Sequence, residues 1–221
     1  MNVNVAIDPK LYDVYPDIRL GCLHFSATVT LPSPAFWAHM EDTVLPGVRE
    51  RIAEKQWSEI PGVRGSRAAY KAFGRNPGRY RVSSEALLRR VRRGDALYQI
   101  NSVVDVNNLI SVESGLSVGS YDLDKLQGTV TLREAQAGEG YEGIGKGFLD
   151  LEHLLVLADD LGVFGSSMSD SNRGMVTEAS REILMVVYCF ERDIDLDALL
   201  ERAKTAFETY ADAKDVTVWS V

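Results

Sequence analysis

Apolar and polar residues recur along this chain with two spacings, which separate predicted strands from predicted helices. Alternation and β-branched side chains favour strands, and an unbroken apolar run favours a strand that is buried on both faces. The glycine-rich stretch 138–147 is expected to form a flexible loop. By these criteria we expect strands over residues 18–31, 128–135, 154–159 and 183–190, and an edge strand at 216–221.

Apolar residues spaced by three or four positions predict the helices. One such segment is 35–57, in which Pro46 and Gly47 favour a kink or a new start. A pair of serines caps a shorter helix over 85–93, and Asp195 caps a final amphipathic helix. Strands and helices that follow each other without regular βαβ alternation predict an α+β fold.

One predicted helix carries polar side chains at helical spacing inside an apolar stretch. Asn101, Asp105 and Asn108 stand at i, i+4 and i+7, so a helix would place them on one stripe. Two interpretations are open, because the stripe either faces water on a surface helix or binds a ligand. For the second interpretation, we expect the three side chains to line one pocket together with Tyr121 and Asp122.

Length and composition limit the classes of protein that fit. The 221 residues suit one domain over residues 1–221, with a core that needs neither disulfides nor a metal. No stretch approaches the roughly 18 consecutive apolar residues of a membrane span, and the first residues lack a secretory signal, so we expect a cytoplasmic protein. Cys22 and Cys189 lie in apolar runs, which is typical of buried small hydrophobic residues.

The charges are unevenly distributed along the chain. The net charge is −8, yet the segment 64–93 holds ten Lys or Arg residues against Glu85 alone, so it carries +9 and the rest carries −17. The segment is either a solvated basic helix balanced by acidic neighbours or a surface that binds RNA phosphates. Tyr70, Phe73 and Tyr80 lie between the basic residues and favour the RNA surface, because bases stack on aromatic rings.

The sequence gives little support to a phosphate-binding loop, a metal site or a catalytic serine. The loop 138–147 lacks the Gly-Lys-Ser/Thr ending of a phosphate-binding loop. The three histidines do not have the spacing of metal ligands, so we expect no metal and no cofactor. The serine-rich stretch 166–171 is not joined to a histidine by any motif, so a hydrolase here would need another way to activate water.

Several motifs stand in a fixed order along the chain. They are RAAYKAFG at 67–74, YRVSSEALL at 80–88, VDVNN at 104–108, YDLDK at 121–125, LREA at 132–135, GIGK at 143–146, FGSSMSDS at 164–171 and MVTE at 175–178. This series resembles the tRNA-editing domain in the β subunit of phenylalanyl-tRNA synthetase, and more closely the free-standing proteins built from that domain alone. The resemblance covers roughly residues 60–190 and is more specific than one short motif.

The resemblance implies a β-sheet or β-sandwich core flanked by helices, and a deacylase that acts on mischarged tRNA. Such an enzyme hydrolyses a reactive ester by holding water and substrate in line, without a dedicated nucleophile. The implied catalytic residues are Asn108 and Asp105. The implied aminoacyl-binding residues are Asn101, Asn107, Gly119, Tyr121, Asp122, Asp170, Asn172 and Thr177. The implied RNA-binding residues are Arg67, Tyr70, Lys71, Arg81, Arg89, Arg90, Arg92 and Arg93.

Three positions depart from the family pattern. Asn107 replaces a threonine, Gly119 stands where the synthetase domain has a histidine, and Asn172 stands near the glutamate associated with the tyrosine hydroxyl. We therefore expect a pocket that is not tuned to tyrosine and has open space at Gly119. A non-catalytic module that binds tRNA or an amino acid is the alternative function, and a small-metabolite amidase or esterase is a third. The amino acid, the tRNA and the oligomeric state are left open.

Overall fold

The computed structural model describes residues 3–221. Within them, ten strands form two four-stranded sheets, of order β1-β4-β7-β8 and β10-β2-β9-β3, and one hairpin of β5 and β6. The strands are β1 (Val5–Ile7), β2 (Arg19–Ser26), β3 (Ser117–Asp122), β4 (Val130–Glu134), β5 (Gly140–Gly143), β6 (Gly147–Asp150), β7 (Leu155–Asp159), β8 (Gly162–Ser166), β9 (Glu182–Cys189) and β10 (Lys214–Ser220).

The two four-stranded sheets pack as a sandwich around an apolar layer. Strand β9 lies inside its sheet, paired antiparallel with β2 and β3. Leu184 of β9 is buried between the sheets with Leu132 of β4 and Leu157 of β7, whereas Met185 is buried on the other face, against the helices. Burial on both faces therefore explains the unbroken apolar run of β9, and the strand predicted there is confirmed.

Helices cover the outer face of the β10-β2-β9-β3 sheet. Phe36, Val48, Leu88, Val106 and Leu199, from five different helices, share one buried cluster with that face. None of the helices within residues 3–221 is long and apolar enough to cross a membrane. The helices are α1 (Lys10–Val14), α2 (Pro34–His39), α3 (Leu45–Ile52), α4 (Val63–Ala72), α5 (Ser83–Arg93), α6 (Ser102–Ser114) and α7 (Leu196–Tyr210).

The predicted helix over 35–57 is divided by a π-helical stretch, Met40–Val44. Pro46 has no backbone N–H, so the carbonyl of Asp42 lacks its usual donor four residues later. A wider turn accommodates this gap, and the chain continues as α3. The predicted interruption is therefore present, and it takes the form of a π-helical turn just before the proline.

The predicted α+β class is confirmed, although several strands escaped the sequence pattern. Strands β3 and β8 were not predicted, and the glycine-rich stretch forms the β5–β6 hairpin. These strands contain glycine and serine where β-branched residues are usual, so their alternation is hidden.

Candidate functional site

A cavity of about 210 Å³ lies beside the free edge of β3. Helices α5 and α6 form one wall, and the segment 166–176 forms another together with the tip of the β5–β6 hairpin. This segment follows β3, because Met175 forms an isolated bridge with Tyr121 and Gly174 O accepts from the N–H of Asp122. The lining residues are Ser83, Leu87, Val104, Asn107, Asn108, Ser111, Val118, Ser120, Ile144, Ser166, Ser169, Asp170, Met175 and Val176.

The face of α6 that lines the cavity carries Val104, Asn107, Asn108 and Ser111, at i, i+3, i+4 and i+7. Asn107 is held in place, because its Oδ1 accepts a hydrogen bond from Ser120 Oγ of β3 (3.0 Å). The Asn108 side chain is half-buried and forms no hydrogen bond with any of residues 3–221. Its amide group is therefore available to a ligand in the cavity.

Asn101 and Asp105 do not line this cavity, which corrects the prediction that they share a pocket with Asn108. Asn101 caps α6, since its Oδ1 accepts from two backbone N–H groups of the first turn. Asp105 is buried and accepts from Trp37 Nε1 (3.0 Å) and from the N–H of Ile100 (2.9 Å). Burial raises the pKa of Asp105, and these hydrogen bonds oppose the rise. Both side chains stabilise the start of α6.

Asp122 and Thr177 also lie outside the cavity, in contrast to the sequence prediction. Ser180 Oγ donates to Asp122 Oδ2 (2.6 Å), and Lys125 forms an ion pair with the same carboxylate (3.3 Å). The N–H of Thr177 donates to Ser180 Oγ (2.9 Å). These contacts hold the end of β3 against the segment that leads into β9.

Tyr121 fills the space that was expected to be open at Gly119. A Cβ built on Gly119 would lie 2.8 Å from Tyr121 Cζ, and a Cβ built on Gly165 would lie 2.7 Å from the same atom. Tyr121 is fully buried, on the face of β3 opposite to Val118 and Ser120. Both glycines therefore make room for the phenol ring, and the expectation of extra cavity space at Gly119 is wrong. Neither Tyr121 nor Gly119 lines the cavity, which corrects their predicted place in the pocket.

Asp170 is the charged residue among those that line the cavity. Tyr121 Oη donates to Asp170 Oδ1 (2.6 Å), and the Tyr188 hydroxyl lies 2.9 Å from Tyr121 Oη. Burial raises the pKa of Asp170 to about 7, although the hydrogen bond from Tyr121 opposes the rise. Asn172, the position near the family glutamate, is exposed and lies outside the cavity lining, which corrects its predicted role.

Glu85 organises much of the basic segment. Its carboxylate is buried and pairs with Arg67 (3.0 Å), Arg89 (2.8 Å) and Arg81 (3.7 Å). Three guanidinium groups around one carboxylate leave a surplus of positive charge, and each of them remains partly exposed. Helix α5, which carries Glu85 and Arg89, also forms part of the cavity wall through Ser83 and Leu87.

The other predicted RNA contacts differ in their availability. Tyr70 is buried and its hydroxyl lies 2.8 Å from Ser167 Oγ, so the prediction that it contacts RNA is corrected. Arg90 and Arg92 donate to backbone carbonyl groups of neighbouring loops, and each lies over an aromatic ring. The exposed members of the predicted set are Lys71, Arg81 and Arg93.

Sequence reasoning missed most of the serine and apolar lining of the cavity. Val118 and Ser120 alternate with Gly119 and Tyr121, which is the signal of a strand with two different faces. Recognising that strand would have placed Val118 and Ser120 against α6. Helices α5 and α6 and the end of β8 supply further lining residues, whereas Ile144, Ser169, Met175 and Val176 come from loops, which carry no comparable spacing.

Comparisons with known proteins converge on one family. The B3/4 domain family matches residues 65–211, a range that contains every residue of the cavity lining. The phenylalanine–tRNA ligase beta subunit of Chromobacterium violaceum is 34% identical over 103 residues, which is 45% of this chain and 13% of that protein. The subunit of Neisseria meningitidis serogroup B is 33% identical over 91 residues, or 37% of this chain and 12% of that protein. The chain spans about an eighth of the length of these relatives.

A solved structure has a similar fold. It is the crystal structure of an N-terminal fragment of the phenylalanyl-tRNA synthetase beta subunit from Pyrococcus horikoshii. The match covers 100% of this chain and 55% of that chain, with a TM-score of 0.52 and 15% sequence identity. At this identity the match establishes the fold alone, and it agrees with the α+β class.

Proposed function

The chain belongs to the B3/4 domain family, and from that membership we propose that it is a tRNA-editing hydrolase that cleaves the ester bond of a mischarged aminoacyl-tRNA. The observation that carries the proposal is the cavity beside β3, which is large enough for one aminoacyl group and presents an uncommitted amide, several hydroxyls and a carboxylate. The similarity to phenylalanine–tRNA ligase beta subunits supports tRNA as the partner.

Asn108 is the proposed catalytic residue. Water attacks the ester carbonyl carbon, and negative charge develops on the carbonyl oxygen as the bond forms. When this intermediate collapses, the bond to the ribose oxygen of the tRNA breaks and that oxygen takes up the proton released by the water, which gives the free amino acid and tRNA. Asn108 Nδ2 has no other partner among residues 3–221, so it is free to donate to that oxygen. Asn107 accepts a hydrogen bond from Ser120 and so fixes the cavity wall next to Asn108. The cavity walls would hold the ester in line with the attacking water.

Direct attack by a serine is disfavoured by the hydrogen bonds of the serine-rich stretch. Ser166 Oγ donates to Ser169 O (2.8 Å) and accepts from Tyr141 Oη (3.2 Å). Ser167 Oγ is bonded to the Tyr70 hydroxyl. A tyrosine with a raised pKa is a poor general base, and burial raises the pKa of Tyr70 to about 12. Water is therefore the proposed nucleophile.

The positive surface around Glu85 is the proposed approach for the tRNA backbone. Arg67, Arg81 and Arg89 carry more charge than Glu85 neutralises, and they stand on or beside the helix that forms a cavity wall. Phosphates of the acceptor end bound there would leave the terminal ester next to the cavity.

A deacylation screen of the purified protein against a panel of mischarged tRNAs tests the proposal. We expect hydrolysis of at least one panel member, and Asn108→Ala should lower its kcat by about 10²-fold, the effect of losing one charge-stabilising donor. Asn172→Ala removes an exposed amide outside the cavity and is the matched control, which should keep full activity. Ser166→Ala and Ser167→Ala should keep most of the activity.

Two results would contradict this mechanism. One is a folded Asn108→Ala protein with full activity, and the other is a covalent aminoacyl-serine intermediate detected by mass spectrometry. If the folded wild-type protein binds tRNA and hydrolyses no member of the panel, the non-catalytic binding module becomes the better assignment.

A further inference from the structure

Asp170 differs from most enclosed acids of this protein in its surroundings. Glu85, Asp122, Asp159 and Glu191 each pair with a Lys or Arg side chain. Asp170 is absent from the ion pairs formed within the described part of the chain, residues 3–221. Asp105 also forms no ion pair within residues 3–221, but it accepts hydrogen bonds from Trp37 and Ile100 and lies outside the cavity lining. A carboxylate enclosed by protein without a cation is destabilised, because burial penalises its charge.

The protein holds this carboxyl group from one side. Tyr121 Oη donates to Asp170 Oδ1, and the Tyr188 hydroxyl is hydrogen-bonded to Tyr121 Oη. Asp170 keeps some accessible surface and lies in the cavity lining, so it faces the cavity. Its backbone is fixed as well, since its carbonyl accepts from the N–H of Ile144 at the tip of the β5–β6 hairpin (3.0 Å). The carboxylate is therefore oriented and exposed to whatever occupies the cavity.

The rest of the lining is uncharged. It consists of serine, asparagine and apolar side chains, so Asp170 is the group there that can form an ion pair with a ligand. Every aminoacyl ester carries one ammonium group, on the carbon next to the carbonyl. A side-chain ammonium occurs in a minority of amino acids, and a small cavity with Leu87, Val104, Val118 and Ile144 in its walls suits an uncharged side chain better.

We propose that Asp170 binds the α-ammonium group of the aminoacyl ester, so that the cavity accepts acyl groups with a free amine in preference to isosteric 2-hydroxyacyl groups. This inference rests on the proposed function, because it assigns the occupant of the same cavity. Asp170 is a substrate-binding residue in this assignment. It fixes the carbon next to the ester carbonyl, and Asn108 contacts the carbonyl oxygen itself.

Ionisation of Asp170 then governs ligand affinity. The phenols that surround it, of Tyr121, Tyr188, Tyr141 and Tyr70, all have pKa values raised by burial and stay neutral near pH 7. The nearby cation is Lys146, whose charge lowers the pKa of Asp170, although burial dominates and raises it to about 7. Amine affinity should therefore weaken as the pH falls below 7, because Asp170 takes up a proton.

Calorimetric titration with two matched sets of non-hydrolysable probes tests the assignment. One set is 3′-deoxy-3′-(aminoacylamino)adenosine with alanyl, leucyl or phenylalanyl groups, and the other carries the corresponding 2-hydroxyacyl groups. We expect the wild-type protein to bind at least one amine probe about tenfold or more tightly than its hydroxy partner. From about pH 8 to about pH 6, the ionised fraction of Asp170 falls about tenfold while the protonated fraction of the probe's amine roughly doubles, so the Kd of the amine probe should rise about fivefold. The Kd of the hydroxy probe should not change in this way.

Two variants complete the experiment. Asp170→Asn keeps the shape of the side chain and its acceptor oxygen for Tyr121, and it should bind the two sets equally. Asp42→Asn removes an exposed carboxylate outside the cavity lining and should retain the amine preference. Equal binding of the two sets by wild-type protein, an unchanged preference in Asp170→Asn, or no binding of any probe would each overturn the proposal. The wild-type comparison decides the matter even if Asp170→Asn fails to fold.

The outcome is separable from that of the deacylation screen. Hydrolysis of a mischarged tRNA without any amine preference would overturn the role of Asp170 and leave the proposed activity intact. Amine preference without hydrolysis of any tRNA would support Asp170 as an ammonium site and overturn the hydrolase.

Discussion

Two glycines allow Tyr121 to lie beneath the cavity and orient Asp170. Gly119 and Gly165 approach the phenol from different strands, and neither position has room for a Cβ atom beside the ring. The ring is held by an edge contact with Phe164, with centroids 4.9 Å apart, and by its hydrogen bonds to Asp170 and Tyr188. A side chain at Gly119 would therefore displace the ring or strain these contacts.

The first prediction concerns stability. Gly119→Ala should lower the free energy of unfolding by about 1–3 kcal/mol, because an extra methyl overlaps a ring that cannot move freely. Gly47→Ala is the control, since nothing lies within 4 Å of a Cβ built there in α3, and it should be neutral or stabilising by roughly 0.5–1 kcal/mol. Urea unfolding of both variants measures the difference. Equal changes in the two would show that Tyr121 adjusts to the added methyl.

At the scale of elements, α5 combines two contributions. Ser83 and Leu87 face the cavity, while Glu85 gathers Arg81 and Arg89 with Arg67 of α4. Arg92, near the end of the helix, donates to the carbonyls of Ile52, at the end of α3, and Lys55, and its guanidinium lies 3.8 Å from the centroid of Trp57. The arginines on and beside α5 therefore divide into a group around Glu85 with exposed charge and a group that holds neighbouring backbone in place.

This division predicts different effects on tRNA binding. Lys71→Gln combined with Arg81→Gln should weaken tRNA affinity and flatten its dependence on salt by up to roughly 0.9 log units per lost phosphate contact. Arg92→Gln should instead lower the free energy of unfolding by about 1–3 kcal/mol, because two carbonyl groups lose their donor, and leave the salt slope unchanged. Affinity measured over a range of salt concentrations checks both. An unchanged salt dependence in the double variant would show that these basic residues are solvated and do not contact tRNA phosphates.

The elements that sequence patterns predicted are those with one dominant pattern. Helix α7 has apolar residues at helical spacing, strand β9 is an unbroken apolar run, and Asp195 caps α7 as expected. The site was harder to predict, because hydrogen bonds between residues far apart in the sequence determine which polar side chains are available to a ligand. Asp105 meets Trp37 from 68 positions away, and no local pattern reveals that contact. Spacing therefore placed Asn108 on the face of α6 that lines the cavity, and it could not exclude Asp105 from the predicted pocket.

At the scale of the whole molecule, Asp170 contacts both the cavity and, through hydrogen bonds, the interior between the sheets. Strand β3 is the last strand of its sheet, and the cavity lies over its free edge. Tyr121 and Tyr188 belong to the apolar cluster between the sheets, and their hydroxyls lead from that layer to Asp170. A change of charge at Asp170 therefore affects the stability of the core between the sheets as well as ligand binding in the cavity.

The last prediction follows from this connection. Burial raises the pKa of Asp170 from 3.8 to about 7 on folding, so over that interval the folded state keeps a proton that the unfolded chain has lost. The contribution of Asp170 to the free energy of unfolding should fall as the pH rises from about 4 to about 7 and stay level above that. Asp170→Asn stays neutral and should be more stable than wild type above about pH 7, by on the order of 2–4 kcal/mol.

Urea unfolding of both proteins at a series of pH values provides the measurement, and the difference between the two curves isolates Asp170. Other titratable groups are present in both proteins and cancel in that difference, including those whose contribution to stability changes with pH in the opposite direction. Glu139 is one, because the hydrogen bond from Arg133 lowers its pKa and its contribution is lost as the pH falls. Parallel curves would show that Asp170 does not titrate in this interval. A variant that gains stability and loses the preference for amine probes would mean that the fold keeps an unfavourable carboxylate because the ligand supplies its missing cation.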